Sequence, residues 1–531
     1  MEEPTLAQEP LEAQLGIPPR HAGLMPDVPN ATERSPPPIS GLQRRRRRPG
    51  NNPRKGSVMK AHMRGFLALV WPVVIAAVIT IAAASMLKAS KANATPGFAR
   101  QTGLSCQACH TIFPELTPFG RRFKMNAYVF SNVRQIEATT ERGERTLSLS
   151  DLPPLSVMLQ GSNTWLAKAI PDTNPTLTDL SDKSTTEFPQ ALSLFYTGKI
   201  ADYLGAFLQL TWEQTSNAVG IDNSELRFAN HAAFDSIGVS DFIYGISTNN
   251  NPTSQDVWNS TPAWGYPFIT TNVGIPPIAK PILVGQLSQE SAGLTGYLFL
   301  FNRLYIEGGA YWSAQTSFTN ATTGGPGPLD STAPLMRISG SAPYWRLAWE
   351  QDWGYHALSF GTYGISAPTH PTGVGNSGPL NTFTDIAVDA QYQYITDDHL
   401  ISVYGTWINE HRHFNNHNLV DHTNNWLNSE NLAVSYFFRR KVGGYVQAFS
   451  TTGTADSTLY ASGTQVLGSA NGKPYTQGYL FEVNFLPWLN TKLGLQYTIY
   501  TRFNGRANNY DGFSRNAWNN NTVYLYVWTA F

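Results

Sequence analysis

The chain contains only two cysteines, and both stand in one short motif. Cys106 and Cys109 are separated by two residues and followed directly by His110, in the string CQACH. This spacing is typical of covalent haem c, in which two thioether bonds hold the porphyrin and the adjacent imidazole becomes an axial ligand of the iron. Two intervening residues let both sulfurs reach one face of the ring. We therefore predict one covalent haem c, bound by these three residues.

A thioredoxin-like redox pair is the structural alternative for the same cysteines. That motif requires the CxxC string at a helix N-terminus in a βαβ context, and no such context is visible around residues 106–109. With no other cysteine in the chain, any disulfide would have to use this pair. Haem c is attached outside the cytoplasm, so the motif also implies export.

The second axial position is less determined by the sequence. Met125 lies fifteen residues after His110, in a helical-looking stretch at 119–128. A thioether ligand there would raise the reduction potential relative to a second histidine. A core methionine that packs beside the haem is an equal alternative. Met158 and His231 are weaker candidates, and five-coordinate iron is a further option.

Export is predicted from the segment in front of the motif. Residues 65–87 form a nearly uninterrupted apolar stretch, long enough for a signal-peptide core or a membrane span. The small-x-small pattern Ala-Asn-Ala at 92–94 favours cleavage. We interpret 59–94 as a signal peptide, with an uncleaved inner-membrane anchor as the alternative.

The first 58 residues differ in composition from the rest of the chain. They are rich in Pro, Arg and Asn and include five consecutive arginines at 44–48. Such a composition cannot bury a core, so we expect disorder. The arginine run suits an anionic surface or a nuclear address, and a disordered tail or an over-extended gene start is the simpler interpretation.

Composition limits the function of the remaining chain. Only 14% of all residues are charged, whereas soluble proteins carry roughly 25%. The 24 Tyr, 14 Trp and 27 Phe add to the argument against an ordinary cytosolic enzyme. Residues 95–531 contain 24 basic and 31 acidic side chains, so nucleic-acid binding is not expected.

From about residue 155 onward, apolar and polar residues alternate in segments of about ten. In one segment Ile386 and Val388 stand on one face, and Asp385 and Asp389 stand on the other. Such alternation, with aromatics near the segment ends, is typical of membrane strands between lipid and a polar lumen. Sixteen segments are predicted, near 154–166, 187–199, 203–213, 224–234, 239–247, 289–299, 303–315, 343–351, 355–365, 384–396, 399–409, 430–439, 443–450, 475–486, 491–503 and 521–531.

The connections between these segments are alternately short and long. Outer-membrane barrels have short periplasmic turns and longer external loops. The pattern predicts an all-β membrane protein over 151–531, an antiparallel barrel of about 16 strands that ends in the aromatic Phe531. Residues 95–150 would then be a small helical haem plug or periplasmic cap. A soluble β-sandwich is the competing fold, but it would need more charge on its exposed faces.

Two of the long connections have unusual compositions. Residues 410–422 contain four histidines and Asp421, which suit capture of Fe(II) or another transition metal, although a solvated polar loop is the favoured interpretation. The histidines are His411, His413, His417 and His422. The aromatics at 258–268 either fold into the lumen over the haem or pack within their own loop.

The haem segment carries a resemblance to a known family. It has PGFARQTG at 96–103, CQACH at 106–110, FP at 113–114 and FGRRFK at 119–124. These strings resemble the N-terminal haem segment of the fused monohaem cytochrome-porins of the bacterial outer membrane. The resemblance covers about thirty-five residues, and over the barrel it rests on architecture alone. It implies haem-binding roles for Cys106, Cys109 and His110, and Fe(II) oxidation at the cell surface with electrons passed to periplasmic carriers such as a soluble cytochrome c.

Three functions follow as alternatives. The main expectation is an outer-membrane electron conduit or Fe(II) oxidase, with no residue assigned as catalytic. The second is a substrate-uptake porin in which the haem segment is a structural plug. The third is an inner-membrane-anchored cytochrome with a soluble β-domain. The expected partners are outer-membrane lipid, extracellular Fe(II) or another reductant, and a periplasmic carrier.

Overall fold

The computed structural model describes most of the chain from residue 97 to the end. The described ranges are 97–129, 135–143, 145–151, 153–171, 183–234, 239–314, 337–370, 379–415, 420–460 and 466–531. The predicted disordered extension at 1–58 and the predicted signal peptide at 59–94 therefore lie outside the described residues, as does His417. No helix within the described ranges is long and apolar enough to cross a membrane.

Three short helices form the first described part. They are α1 (Gly97–Thr102), α2 (Cys106–Cys109) and α3 (Pro118–Met125). The start of α3 follows from its sequence, because the side chain of Thr117 accepts a hydrogen bond from Gly120 N and Pro118 occupies the first turn, where its missing N–H costs nothing. The helical stretch predicted at 119–128 is thus confirmed, with slightly earlier bounds.

A small antiparallel hairpin follows the helices within the segment predicted as haem-bearing. Its strands are β1 (Gln135–Thr139) and β2 (Arg145–Ser150). This hairpin was not predicted from the sequence. Ile136 pairs with Leu149 across it, and both side chains are exposed.

The rest of the chain forms one closed antiparallel barrel, in which the last strand pairs with the first. Its strands are β3 (Leu155–Leu166), β4 (Ser184–Ala201), β5 (Leu204–Glu213), β6 (Ala218–Ile221), β7 (Glu225–Phe234), β8 (Val239–Asn249), β9 (Ser291–Leu300), β10 (Leu304–Ser313), β11 (Arg337–Ile338), β12 (Ala342–Trp353), β13 (His356–His370), β14 (Asn381–Ile395), β15 (His399–His413), β16 (Asn424–Phe438), β17 (Val442–Gly453), β18 (Thr476–Trp488), β19 (Thr491–Arg502) and β20 (Thr522–Ala530).

β6 and β7 are two parts of one interrupted strand, and so are β11 and β12. β5 pairs with β6 along one half and with β7 along the other, and β13 pairs in the same way with β11 and β12. The barrel therefore has sixteen strands. Each of the sixteen predicted segments overlaps one of them, so the predicted fold class is confirmed.

The two faces of the barrel wall differ as the alternation predicts. Ile386 and Val388 are exposed on the outside, whereas Asp385 and Asp389 are buried on the inside. A closed barrel leaves no unpaired strand edge, and its apolar outer face requires lipid rather than water. The protein is therefore an outer-membrane barrel of a Gram-negative bacterium, and the soluble β-sandwich and the soluble β-domain are wrong.

The strand ends define two different rims. On one rim the described connections are short turns, at 202–203, 301–303, 354–355, 396–398, 439–441 and 489–490. The barrel begins at Leu155 and ends at Ala530 on this same rim, since β3 pairs with β20. Short turns are periplasmic in outer-membrane barrels, so the opposite rim, with the long connections, faces outward.

Several strands extend further toward the outer rim than the sequence predicts. β14, β15 and β16 have fifteen residues each, and β15 includes His411 and His413. The polar loop predicted from residue 410 is thus wrong up to residue 413. The strand continues because Glu410 points into the lumen, where its carboxylate accepts a hydrogen bond from the backbone N–H of Ile282. A polar residue at this position is therefore compatible with the strand.

Residues 250–290 form a long connection that folds into the barrel from the outer rim. Trp258 in this connection is fully buried, and Tyr266 is nearly so. The interpretation that its aromatics enter the lumen is confirmed. This connection and the N-terminal helices, hereafter the lumen loop (250–290) and the plug (97–129), both occupy the interior.

Candidate functional site

The CQACH motif occupies one helical turn followed by a loop that returns to it. The carbonyl of Cys109 accepts a 2.9 Å hydrogen bond from Thr117 N, and the hydroxyl of Thr117 donates to Ala108 O at 2.8 Å. α3 then packs directly on the motif, because a Cβ on Gly120 would lie 2.2 Å from the Cys109 carbonyl oxygen. Only glycine allows this approach, which fixes α3 against the cysteines.

The two thiols and the imidazole differ in their surroundings. Cys106 and Cys109 are free and half-buried, and burial raises the pKa of both thiols, that of Cys109 to about 11. Burial lowers the pKa of His110 to about 4, so its ring is neutral near pH 7. A neutral imidazole is the form that binds a metal. The ring also packs on Phe113, with centroids 5.4 Å apart.

This arrangement fits covalent haem c. Nδ1 of His110 is buried and has no hydrogen-bond partner among the described residues. Leu104 and Phe119 flank the motif in sequence and are exposed, although both are large and apolar. A porphyrin attached to the half-buried thiols would supply an apolar face for such side chains and a ligand position for the imidazole. The residues present therefore suit the group that the motif predicts.

The three candidates for the second axial position lie in different surroundings. Met125 is fully buried in a cluster with Trp258 and Tyr297. Met158 belongs to a second cluster, against which Phe113 packs, and Nε2 of His231 lies 2.7 Å from the Asn126 side chain. The second ligand stays a prediction, and the surroundings of Met125 favour a packing role.

The plug is held to the barrel wall by buried polar contacts. Glu115 is buried and accepts hydrogen bonds from four hydroxyl groups. These belong to Thr111 (3.0 Å), Ser402 (2.7 Å), Tyr404 (3.1 Å) and Ser435 (3.2 Å). Three of the four donors stand on β15 and β16, so one plug carboxylate joins the motif segment to the wall near the short-turn rim.

A second contact joins plug, wall and lumen loop at one carboxylate. Arg121 of α3 forms a fully buried ion pair with Glu350 of β12, with a 2.6 Å Nε–Oε2 distance. The indole N–H of Trp258 donates to the same oxygen at 2.9 Å. Arg121 also donates to Gln393 of β14 at 2.8 Å. The plug and the lumen loop therefore depend on a shared wall residue.

The plug and the lumen loop also touch directly. Leu116 N donates to the side chain of Asn259 at 2.9 Å, and Lys124 Nζ donates to Ser254 O at 2.6 Å. The same ammonium lies 4.4 Å from the centre of the Trp264 ring. The two segments, one from each rim, therefore meet inside the barrel.

The lumen loop is itself fixed to the wall by charge. Arg346 of β12 binds Asp256 of the loop at 2.8 Å and Asp389 of β14 at 2.9 Å. Burial is the main reason why the pKa of Asp256 rises to about 6, despite the opposing effect of Arg346. Ser260 of the loop donates to Asp389 as well, at 2.5 Å.

The histidine-rich segment does not form a metal site among the described residues. No group of three His, Cys, Asp or Glu side chains there could hold a metal ion. The ring of His411 packs on Trp426 at 4.5 Å between centroids, and His413 Nδ1 lies 2.9 Å from the Asn424 side chain. The expectation of metal capture by these two histidines is not supported by their contacts.

The wall residues that hold the plug were not predicted from the sequence. Glu350 and Gln393 stand at inward positions of strands that were predicted correctly. The available signal was a charged or amide side chain at a lumen-facing position near a short turn. Their partners, Arg121 and Trp258, lie more than ninety residues away in the chain and gave no local signal.

Among known proteins, similarity to this chain is found in solved structures. No family model and no curated protein sequence matches the chain. Solved structures similar to it include OmpT of Vibrio cholerae (11% identity, TM-score 0.38, 71% of this chain and 96% of that chain). Others are the outer membrane channel DcaP of Acinetobacter baumannii (12%, 0.40, 71% and 96%) and an anion-selective porin from Comamonas acidovorans (13%, 0.38, 71% and 98%). Similarity at this level carries no argument about function.

Proposed function

We propose that this outer-membrane barrel is a c-type cytochrome-porin that moves electrons across the membrane. Its expected donor is extracellular Fe(II), and its expected acceptors are periplasmic carriers such as a soluble cytochrome c. The observation that carries the proposal is the CQACH motif in a plug near the short-turn rim. No other described cysteine competes for the role.

The chain's own residues supply the attachment and the ligand. Cys106 and Cys109 would hold one haem c, and His110, whose ring is neutral near pH 7, would bind its iron. The bound haem would supply one-electron redox chemistry. The contacts of Glu115 and Arg121 fix the motif in place relative to the wall.

The plug and the lumen loop both occupy the barrel interior, which supports electron movement over solute diffusion. They are joined by Lys124 and Ser254 and share Glu350, so together they narrow the space through which a solute could pass. Electrons need no open path. The product of Fe(II) oxidation is poorly soluble near neutral pH, so moving the electron inward leaves the solid outside the cell.

A substrate-uptake porin with a haem-bearing structural plug is the second candidate. The barrel architecture favours it, because sixteen strands enclose a lumen wide enough for solutes when it is unblocked. The inner wall also carries the paired charges of Arg227, Arg346 and Asp389, which suit polar solutes. This candidate requires that the plug leave the lumen or shift within it.

One experiment separates the two candidates. The purified protein is examined by absorption spectroscopy before and after Fe(II) is added, with the double variant Cys106→Ser and Cys109→Ser as the haem-free control, and its conductance is measured in planar bilayers. An electron conduit shows a haem spectrum that Fe(II) reduces, with low conductance. A haem that stays oxidised beside steady solute flux supports the porin, and a parent protein without haem ends the cytochrome proposal.

A further inference from the structure

Lys492 is a buried cation without a direct partner. It is the second residue of β19, points inward at the short-turn rim and is 3% exposed. Among the described residues, no hydrogen bond or ion pair involves its ammonium group. Other buried lysines differ: Lys124 donates to Ser254 O at 2.6 Å, and Lys199 binds Asp202 at 2.6 Å.

Three aromatic rings lie near the Lys492 ammonium. Its Nζ lies 5.4 Å from the ring centre of Trp528, 5.6 Å from that of Tyr445 and 5.9 Å from that of Phe268. Cation–π contacts offset part of the cost of burying a charge. They do not replace an anion, because the loss of hydration of a buried ion is fully compensated only by a paired opposite charge.

The two carboxylates that act on Lys492 through space are already occupied. They are Glu115 of the plug and Glu482 of β18. Glu115 accepts the four hydroxyl bonds described above. Glu482 accepts hydrogen bonds from Tyr266 (2.7 Å), Tyr526 (2.6 Å), Asn484 (2.7 Å) and Gln496 (2.7 Å). Neutral donors thus satisfy both carboxylates and leave the ammonium free for another anion.

Lys492 lies close to the candidate haem site. The Trp528 ring, which its ammonium faces, packs on Phe113 with centroids 4.9 Å apart. Phe113 in turn packs on His110 at 5.4 Å. Two ring contacts therefore connect the free cation to the imidazole of the motif.

We propose that Lys492 binds a carboxylate of the haem attached at Cys106 and Cys109. This inference rests on the proposed function, since it requires the haem. Haem carries two propionate groups, which are the nearest anions that the motif would bring. An ammonium without a hydrogen-bond partner and a carboxylate of the cofactor would compensate each other's charge. Lys492 is thus a cofactor-binding residue and sets the charge around the iron.

The test compares Lys492→Met with Lys492→Arg in the full-length, haem-loaded protein. Haem content is measured first, then the midpoint potential by optical redox titration, and then the propionate bending band by resonance Raman spectroscopy. We expect Lys492→Met to lower the midpoint potential, because a lost cation favours the more positive oxidised haem, and to shift the propionate band. Lys492→Arg keeps the charge and both signals stay near those of the parent.

Lys473→Met is the matched control. Lys473 also lies over an aromatic ring, that of Tyr475 at 5.4 Å, but it stands in a long connection at the outer rim. Its replacement should change neither the potential nor the propionate band. If Lys492→Met does not fold, Lys492→Gln takes its place.

The outcomes separate this inference from the proposed function. A parent protein without haem overturns both. A parent with haem, and a Lys492→Met variant with the parent's potential and propionate band, overturns the inference alone and leaves Lys492 with a packing role. A lower potential with an unchanged propionate band also overturns carboxylate binding, since charge alone would explain it.

Discussion

Arg121 of the plug and Glu350 of the barrel wall form an ion pair that is completely buried, with 2.6 Å between Nε and Oε2. The same carboxylate oxygen receives the indole N–H of Trp258 from the lumen loop. One wall residue therefore holds the two segments that meet in the interior. Removal of the Glu350 carboxylate should weaken the attachment of both the plug and the lumen loop to the wall.

Glu350→Gln should loosen the plug and raise the conductance of the barrel. The change removes the charge that compensates Arg121, and breaking a buried pair by neutralising one partner costs about 3–5 kcal/mol of stability. The substitution should destabilise the contacts of the plug and the lumen loop with the wall, and not the barrel itself, because the backbone pairing of β12 is unaffected. Planar-bilayer recordings should show larger and more frequent openings than in the parent.

Asp352→Asn is the matched control for that prediction. Asp352 pairs with Arg122 of the same helix at 3.0 Å, but both side chains are partly exposed, at 39% and 35%. Exposed pairs contribute about 0–1 kcal/mol, so this variant should keep the parent's conductance. Equal conductance of Glu350→Gln and the parent would show that the pair does not hold the plug.

Gly120→Ala should impair haem attachment. A methyl group would stand 2.2 Å from the Cys109 carbonyl oxygen, so α3 must move away from the motif. Overpacking of this kind costs about 1–3 kcal/mol. Haem staining after denaturing electrophoresis should show less covalent haem per barrel than in the parent.

Gly308→Ala serves as the control for Gly120→Ala. Gly308 lies in β10, and an added Cβ there meets no atom within 4 Å. This variant should keep the parent's haem content. A Gly120→Ala variant with full haem content would mean that the close approach of α3 is not needed for attachment.

The sequence was sufficient for the barrel because its signal is local. Alternation every second residue depends only on which face a side chain takes, as at Ile386 and Asp385, and the sixteen strands follow from it. Strand ends were less predictable. At Glu410 a polar residue continues the strand because Ile282, far away in the chain, supplies its hydrogen bond inside the lumen.

The candidate site also has a part that could be predicted from the sequence and a part that could not. The spacing of Cys106, Cys109 and His110 is a local pattern with a definite chemistry, and the structure keeps the three residues in one turn and its continuation. The residues that hold the plug, such as Glu350 and Gln393, belong to strands far along the chain. Which residues they contact depends on how the plug enters the lumen. The alternation of polar and apolar residues in the sequence does not predict this.

Met125→Leu should leave the haem absorption spectrum unchanged. The methionine is fully buried with Trp258 and Tyr297, whereas the ring of His110 packs on Phe113. Leucine has a similar volume, so we expect a stability change below about 1.5 kcal/mol. Loss of a methionine–iron charge-transfer band in the variant, if the parent has one, would instead identify Met125 as the second axial ligand.

Replacement of both Cys106 and Cys109 by serine should abolish covalent haem and leave the barrel folded. The two thiols are half-buried and form no disulfide, and the contacts that seat the plug come from Glu115 and Arg121 instead. The variant should therefore enter the outer membrane and keep the parent's heat-modifiable mobility on electrophoresis, while haem staining is lost. Cys106→Ser alone should retain one thioether site and an intermediate haem content. An unfolded or degraded double variant would show that barrel assembly needs the haem. The haem-bearing plug would then be required for folding of the barrel.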